Sequence, residues 1–264
     1  MGGSLAMAIR RRLPKVKVWG YARNPHSLRR IKKAKAVHKV DTDLENVVHD
    51  ADVVVIGLPV GMILGYLKKI KPFLKRGALV FDLGSSKGTV VHGAARILPK
   101  SVHFVGCHPL CGSEKSGVEF SRSDLYRGTL CLITASNRDK AAWRVKKIWQ
   151  AVGSKVIFMS PERHDVLLSC ISHLPHFISF SLTQLVPRQY LYFVPASLKD
   201  LTRISNSPAQ LWADIAFANK KNIIKDIQKF IRILSKYGTL LRKGDKKKIA
   251  ALLARANAKQ KYIA

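Results

Sequence analysis

Short apolar runs recur along the first 159 residues, and each is followed by a turn and then by a helical pattern. Val53–Ile56 is the clearest, because an unbroken β-branched run before a glycine is typical of a strand buried on both faces. We interpret as strands Lys15–Tyr21, Asp50–Leu58, Leu79–Leu83, Val102–Val105, Thr129–Thr134 and Val156–Phe158. Strands that alternate with helices predict an α/β fold with a doubly wound, mostly parallel sheet.

The pattern changes after Met159. Ser160-Pro161-Glu162 predicts a helix start, with a capping hydroxyl, a proline at the first helical position and an acid in the first turn. No convincing strand follows. The apolar helix Val166–Val186 would form either a bundle core or a dimer interface. We therefore expect a first domain over residues 1–159 and an all-helical second domain over residues 160–264.

The charge balance is strongly basic, with 47 Lys and Arg against 16 Asp and Glu and a net charge of +31. Such a field attracts polyanions. The basic residues are scattered, however, and no helix-turn-helix, zinc-finger spacing or aromatic series accompanies them. We do not expect a nucleic-acid partner, because a generally basic proteome or the recruitment of anionic substrates explains the charge about as well.

Two further features concern the location of the protein. No uninterrupted apolar run approaches the roughly 20 residues that a membrane span requires, so we expect no membrane segment. Four cysteines are too few for a disulfide scaffold of this size and indicate a reducing, cytoplasmic location.

The stretch Gly106–Gly117 follows a predicted strand and concentrates polar chemistry between glycines. Ligands of open α/β sheets bind beyond the carboxyl ends of strands, so this loop is a candidate site with His108 at its centre. A structural histidine is one alternative. A metal loop formed with Cys107 and Cys111 is another, but no second Cys/His cluster supplies the remaining ligands of a tetrahedral site, and we expect no metal.

Three turns at strand ends predict a dinucleotide site in a Rossmann-like domain. After Tyr21 the chain has Ala22 and Arg23 instead of the acid that binds the ribose of NAD, which favours NADP, with NAD as the alternative. Arg23 could equally be a surface charge. Leu58 and Pro59 would line the other side of the cofactor, and the turn with Gly84 and Ser85 would lie near the nicotinamide.

Five motifs in order give the chain a specific resemblance. They are Asp82–Gly88, Gly106–Glu119, Ser172–His176, Asp200–Ile204 and Trp212–Ile215. In sequence and spacing they resemble the prephenate/arogenate dehydrogenase family of tyrosine biosynthesis, over nearly the whole length. The resemblance implies NAD(P)-dependent oxidative decarboxylation and a homodimer formed through the helical domain.

The resemblance also implies roles for individual residues. His108 would accept the proton of the substrate hydroxyl, and Ser85 would share that hydroxyl and orient the imidazole. Arg203 would bind the ring carboxylate. His173 would face the side chain of the substrate, although His173 and His176 could instead be a helix-packing pair.

Two pairs of residues would complete the substrate site by the same resemblance. Ser113 and Glu114 match the loop that closes the pocket, and Asp200 and Trp212 would support that loop. Val194–Ser197 replaces the usual glycine-rich turn near the substrate, so the choice between prephenate and arogenate stays open.

The start of the chain departs from the family, which begins with a strand and a Gly-x-Gly-x-x-Gly turn. Gly2 matches the third glycine, so Gly2, Gly3 and Ser4 would bind the cofactor through a helix N-terminus. We interpret this as a misassigned or truncated start, with a natural terminus as the alternative. The strands Lys15–Tyr21 and Val53–Leu58 would then flank a slot in the sheet. We expect weaker NADP binding and lower solubility than in a chain extended upstream.

Two rival functions remain at the level of the sequence. Another two-domain dehydrogenase would rely on a catalytic lysine in the helical domain and would leave the His108 loop unexplained. A basic binding protein that has lost catalysis is the other alternative.

Overall fold

The structure is a computed structural model that describes residues 1–112 and 117–262. Two sheets lie within these residues. Ser113 and Glu114 therefore lie outside the described residues. The strands are β1 (Trp19–Tyr21), β2 (Lys39–Asp41), β3 (Val53–Ile56), β4 (Leu79–Asp82), β5 (His103–Pro109), β6 (Leu130–Thr134) and β7 (Lys155–Phe158). The predicted α/β class, a Rossmann-like sheet followed by helices, is confirmed.

The sheets are mostly parallel, as predicted. β1 pairs with β2 in parallel, and a five-stranded sheet has the order β3-β4-β5-β6-β7, in which only the β5–β6 pairing is antiparallel. β1 and β3 are not paired with each other in either of these sheets. They are the two strands that the sequence analysis expects on either side of a slot.

Twelve α-helices lie within the described residues. They are α1 (Gly2–Arg12), α2 (Pro25–Ala34), α3 (Leu44–Val48), α4 (Val60–Ile70), α5 (Gly88–Ile97), α6 (Lys140–Ala151), α7 (Pro161–Leu168), α8 (Leu174–Leu185), α9 (Ala196–Thr202), α10 (Ala209–Ala218), α11 (Lys220–Arg242) and α12 (Lys246–Gln260). Short 3-10 turns lie at Lys71–Phe73, Val118–Phe120, Arg188–Phe193 and Arg203–Asn206. Two helix starts follow their sequence signals closely, since the Asn24 side chain accepts the Ser27 N–H and the Ser160 hydroxyl accepts the Arg163 N–H.

Three strand predictions need correction. The strand predicted over Lys15–Tyr21 shrinks to β1, because a turn in which the Val16 N–H donates to the Leu13 carbonyl occupies its first half. β5 runs four residues beyond the predicted Val105, because the antiparallel β6 supplies a ladder partner. β2 was not predicted, since Lys39–Asp41 is too short for a periodic signal.

The helix predicted over Val166–Val186 is continuous but irregular. A single π-helical turn at Ser169–His173 joins α7 to α8. Pro175 follows at once and has no N–H to donate, so the normal hydrogen-bond ladder cannot pass through this point. By length and composition alone, Pro161–Leu185 is apolar enough to cross a membrane, with a mean hydropathy of 1.4. The expected absence of a membrane segment stays a prediction.

Packing divides the chain into Met1–Lys220 and Lys221–Ala264. The first unit extends beyond residue 159 because α10 packs on α4 and places Trp212 and Ile215 in the core of the sheet domain. The second unit consists of the α11 residues from Lys221 and of α12, whose N-cap is Asp245. The functional boundary near residue 159 stays a prediction.

The core of the first unit lies on both faces of the five-stranded sheet. Successive residues of β4 alternate between two clusters, with Leu79 and Phe81 facing α1 and α6 and with Val80 facing α4 and α5. Trp149 of α6 and Ile63 of α4 are fully buried in these clusters. Full burial of β4 on both faces explains its unbroken apolar sequence.

A buried ion pair closes the carboxyl ends of β4 and β5. The Lys87 ammonium contacts the Asp82 carboxylate, and both side chains are inaccessible to solvent. Lys87 Nζ also donates to the Cys107 carbonyl at 2.8 Å, and the Asp82 carboxylate accepts the N–H groups of Gly84 and Cys107 at 2.8 and 3.2 Å. These bonds hold the backbone immediately before His108.

We expect Lys87→Met to lower the free energy of unfolding by about 3–5 kcal/mol, because it leaves the Asp82 carboxylate buried without its cation. Urea denaturation measures the loss. The matched control is Lys75→Met, whose pair with Asp52 is exposed to solvent and should contribute little to stability. Equal losses in the two variants would contradict a special role for the buried pair.

Candidate active site at the carboxyl ends of the strands

His108 lies in β5 and not in the loop where the sequence places it. It is the penultimate residue of the strand and pairs with Leu132 of β6. The ladder fixes its backbone, and its side chain is half-buried. A histidine on a strand is positioned more rigidly than one on a loop.

His108 is the first member of a chain of hydrogen bonds. Its Nδ1 lies 2.9 Å from Nε2 of His164, and Nδ1 of His164 lies 2.8 Å from Oδ1 of Asp165. The Asp165 carboxylate also accepts the N–H groups of Lys87 and Gly88, at 2.8 and 2.9 Å, where α5 begins. In the described part of the chain no hydrogen bond joins Ser85 to His108, so His164 orients the imidazole. The sharing of a substrate hydroxyl by Ser85 stays a prediction.

Burial and charge keep these histidines neutral. The pKa of His108 is lowered well below its ordinary value, first by burial and then by the nearby His164 and Lys87. Burial also lowers the pKa of His164, against an opposing effect of Asp165. Burial alone would raise the pKa of Asp165, but its hydrogen bonds outweigh that effect and lower it. At neutral pH this series of hydrogen bonds therefore has the neutral imidazole of His108 at one end and the carboxylate of Asp165 at the other.

His173, at the end of the π-helical turn, is buried in the same region. Its Nδ1 lies 3.2 Å from Nδ2 of Asn219, which also donates to the Asp165 carbonyl at 2.7 Å. Nε2 of His173 is buried and has no hydrogen-bond partner among the described residues, although the main chain of Ser85 lies near enough to raise its pKa slightly. Burial dominates and lowers the pKa of His173 to about 4.

Trp212 connects this region to His176 and Arg203. The Trp212 and His176 rings stack with centroids 3.6 Å apart, and His173 meets the same indole edge-on at 6.1 Å. His176 donates from Nδ1 to the Ser172 carbonyl at 2.9 Å. Burial lowers the pKa of His176, and the positive charge of Arg203 lowers it further. Two of the predicted substrate residues, His173 and Trp212, are thus in contact.

The predicted cofactor residues lie where α1 begins. Met1 gives α1 no side-chain cap, so its first-turn N–H groups remain available to an anion. Gly2 packs on Gly57 at the end of β3, where a Cβ on Gly57 would lie 3.0 Å from the Gly2 Cα. Gly3 is crowded by Ser121. The buried Ser4 hydroxyl accepts the Arg122 N–H at 3.1 Å and is occupied by that bond.

The end of β1 carries the residues that predict cofactor choice. Ala22 is buried and donates its N–H to the Asp41 carbonyl at 2.8 Å. Asp41, although adjacent, uses its carboxylate to accept from the Asp43 N–H at 3.0 Å and from Asn46 at 3.2 Å. Arg23 is exposed. The nearest acid is therefore committed to its own loop.

The remaining predicted residues are less closely connected. Leu58 is half-buried and Pro59 exposed between β3 and α4, and Gly84 is buried beside Asp82. Asp200 is exposed on α9. Within residues 1–112 and 117–262, no three metal-ligating side chains are grouped to hold a metal ion.

The sequence analysis missed His164, Asp165 and Asn219. His164 and Asp165 lie four and five residues after the helix cap Ser160, which marks them only as residues near the start of a helix. Asn219 is the C-cap of α10, a position where asparagine is common without any functional role. No sequence signal indicates their contacts with residues of β5 and α5.

The low pKa of His173 predicts acid sensitivity. Unfolded histidine titrates near 6.5 and folded His173 near 4, so the unfolded chain binds more protons between these values. The contribution of His173 to the free energy of unfolding is then fully present above pH 6.5 and is lost as the pH falls towards 4. His173→Asn should remove roughly 3 kcal/mol of that loss. Urea denaturation at several pH values measures it, with the exposed His26→Asn as control. An unchanged pH dependence in His173→Asn would refute the assignment.

Comparison with known proteins agrees with the geometry. The family model described as prephenate dehydrogenase, nucleotide-binding domain, matches residues 5–158, and the model of the dimerization domain of the same family matches residues 160–255. The prephenate dehydrogenase of Bacillus subtilis is 31% identical over 93% of this chain and 68% of its own length. The cyclohexadienyl dehydrogenase of Zymomonas mobilis is 28% identical over 93% of this chain and 86% of its own length.

A solved structure provides the corresponding match in three dimensions. The prephenate dehydrogenase of A. aeolicus, in complex with hydroxyphenyl propionate and NAD+, superposes with a TM-score of 0.91 and 34% identity. The match covers 100% of this chain and 95% of that one. With both family models matched in order along the chain, the protein belongs to the prephenate dehydrogenase family.

Proposed function

We propose that the protein oxidatively decarboxylates prephenate or arogenate with a nicotinamide dinucleotide, with His108 as the group that accepts the hydroxyl proton. The observation that carries the proposal is a neutral, half-buried imidazole at the carboxyl end of the sheet, held through Nδ1 by His164. Nε2 of His108 has no hydrogen-bond partner among residues 1–112 and 117–262, and we propose that it meets the substrate hydroxyl. The names of the relatives supply the substrate class.

The residues present fit a dinucleotide. The uncapped first turn of α1 offers N–H groups to a pyrophosphate, and the close approach of Gly2 and Gly57 leaves no Cβ in the way. Gly84 at the end of β4 is similarly crowded, since a Cβ there would lie 2.8 Å from Ile63 Cδ1. When bound, the cofactor accepts a hydride from the substrate.

His108 and Arg203 would act on different groups of the substrate, the hydroxyl and the ring carboxylate. As hydride leaves the ring carbon that bears the hydroxyl, the hydroxyl proton passes to the neutral His108. The bond to the ring carboxylate then breaks, its electron pair enters the ring, and carbon dioxide leaves. Arg203, whose positive charge acts on His176, would hold that carboxylate through its planar guanidinium.

NADP is the proposed cofactor. Ala22 offers no carboxylate to a ribose diol, and the Asp41 carboxylate is occupied by Asp43 and Asn46. Arg23 is exposed at the same turn and would meet a 2′-phosphate. The A. aeolicus relative has NAD+ bound, so a preference for NADP would distinguish the two proteins.

A homodimer formed through the helical region is also proposed. The matching family model for residues 160–255 is a dimerization domain. Within the second unit, α11 exposes a set of large apolar side chains by about half or more of their surface. They are Ile224, Ile231, Ile233, Leu234 and Leu241. Apolar side chains in such number are typical of a surface that is covered by a second chain.

We expect His108→Asn to lower kcat by roughly 10²–10⁴-fold, because the hydroxyl proton loses its acceptor, while the cofactor Kd stays unchanged. Reduced cofactor is followed by absorbance with prephenate and then with arogenate. The control is His103→Asn, an exposed histidine on the same strand. Absence of turnover of both substrates by the wild-type protein would refute the proposed function.

Arg23→Ala should weaken NADP binding about tenfold or more and leave NAD binding unchanged, because only the 2′-phosphate contacts the guanidinium. Calorimetric titration with each cofactor measures both values. Arg29→Ala, an exposed arginine on α2, controls for the general loss of positive charge. A wild-type protein that binds NAD more tightly than NADP would show that Arg23 is only a surface charge.

A further inference from the structure

We propose that Asp165 sets the tautomers of both active-site histidines, so that His108 presents a lone pair and His173 presents an N–H at their Nε2 atoms. Asp165 reaches His108 through its side chain and His173 through its main-chain carbonyl. The inference rests on the proposed function in that the substrate would have to reach these two Nε2 atoms. Asp165, His164 and Asn219 are then positioning residues that do not touch it.

The side-chain path fixes His108. An ionised carboxylate only accepts hydrogen bonds, so Nδ1 of His164, 2.8 Å from Asp165, carries the proton. The neutral His164 then has its lone pair on Nε2. That atom lies 2.9 Å from Nδ1 of His108, which must donate to it. A neutral His108 is left with its lone pair on Nε2.

The direction of this path is set at its far end. Both carboxylate oxygens of Asp165 accept main-chain N–H groups, from Lys87 at 2.8 Å and from Gly88 at 2.9 Å. These donors lie at the start of α5, where the helix dipole favours a negative charge. The carboxylate therefore stays ionised and cannot donate. His164 has no alternative to donating towards it.

The main-chain path fixes His173. The Asp165 carbonyl can only accept, so the atom of Asn219 that lies 2.7 Å from it must be the amide nitrogen. The same nitrogen lies 3.2 Å from Nδ1 of His173 and can only donate. Nδ1 of His173 therefore holds the lone pair, and the neutral ring carries its proton on Nε2. That buried N–H has no hydrogen-bond partner among the described residues.

The two tautomers suit opposite tasks. A proton acceptor needs a lone pair aimed at a hydroxyl, whereas an oxygen anion needs an N–H donor. The carboxylate of Asp165 leads to the lone pair on His108, and the main-chain carbonyl of Asp165 leads to the N–H on His173. Burial of His164 and His173, at 0% and 1% exposure, excludes water that could exchange the roles.

The tautomers can be read directly by long-range ¹H–¹⁵N correlation spectra of the whole protein with ¹⁵N-labelled histidine, at neutral pH and without substrate. His108→Asn and His173→Asn assign two of the nine histidines. We expect His108 to be protonated on Nδ1 and His173 on Nε2. The opposite tautomer at either residue overturns the proposal. This readout needs no turnover, so it decides the proposal even if neither substrate is oxidised.

Kinetics separate positioning from packing. We expect His164→Phe to lower kcat about 100-fold with little change in KM, because His108 loses the acceptor for its Nδ1 proton. His164→Gln should stay within about tenfold of wild type, since its side-chain carbonyl can accept that proton. His103→Phe, an exposed histidine, is the matched control. Equal losses in the Phe and Gln variants would mean that His164 acts by packing alone and would overturn the proposal.

The second arm tests His173. Asn219→Asp replaces a donor by an acceptor, which moves the His173 proton to Nδ1 and should raise KM while kcat changes little. Asn137→Asp, at an exposed position, controls for the added charge. The spectrum of Asn219→Asp should show His173 protonated on Nδ1. An unchanged His173 signal in that variant overturns the main-chain path.

Discussion

The Asp165 carboxylate binds the beginning of α5 and thereby joins the helical region to the sheet. Two main-chain N–H groups and one imidazole converge on it, and the dipole of α5 stabilises its charge. Because His164 is its neighbour in the chain, this anchor places His164 beside His108, 56 residues away in sequence. The position of His164 beside His108 therefore depends on a contact between distant parts of the chain.

Trp212 has a comparable structural role for the substrate side of the site. It belongs to the apolar cluster between the sheet, α4 and α5, and its ring also stacks on His176. The residues that would bind substrate are therefore supported by the same core that supports the cofactor domain. Packing at Trp212 explains why the compact unit extends to Lys220 instead of ending at the last strand.

The sequence predicts the fold class, which is confirmed, and it proposes His108 as the centre of the site, because both depend on local signals. The alternation of apolar runs and helices predicts the sheet, and a histidine between glycines after a strand indicates a site. The extension of β5 through His108 depends on antiparallel pairing with β6, which no local pattern reveals. His164 and Asn219 were missed because their partners are distant in the chain. Asp41 adjoins Ala22 only through the short strand β2, which the sequence did not reveal.

The π-helical turn at Ser169–His173 controls the rotational phase of everything that follows it. His164 and His173 are nine positions apart, which in a regular α-helix would put them about 180° apart around the axis. The extra residue of the turn removes about 100° of that rotation and brings both towards the same side. In this segment the winding of the backbone matters as much as its composition. A regular α-helix over the same residues would turn His173 away from Asn219 even if every side chain in the site were kept.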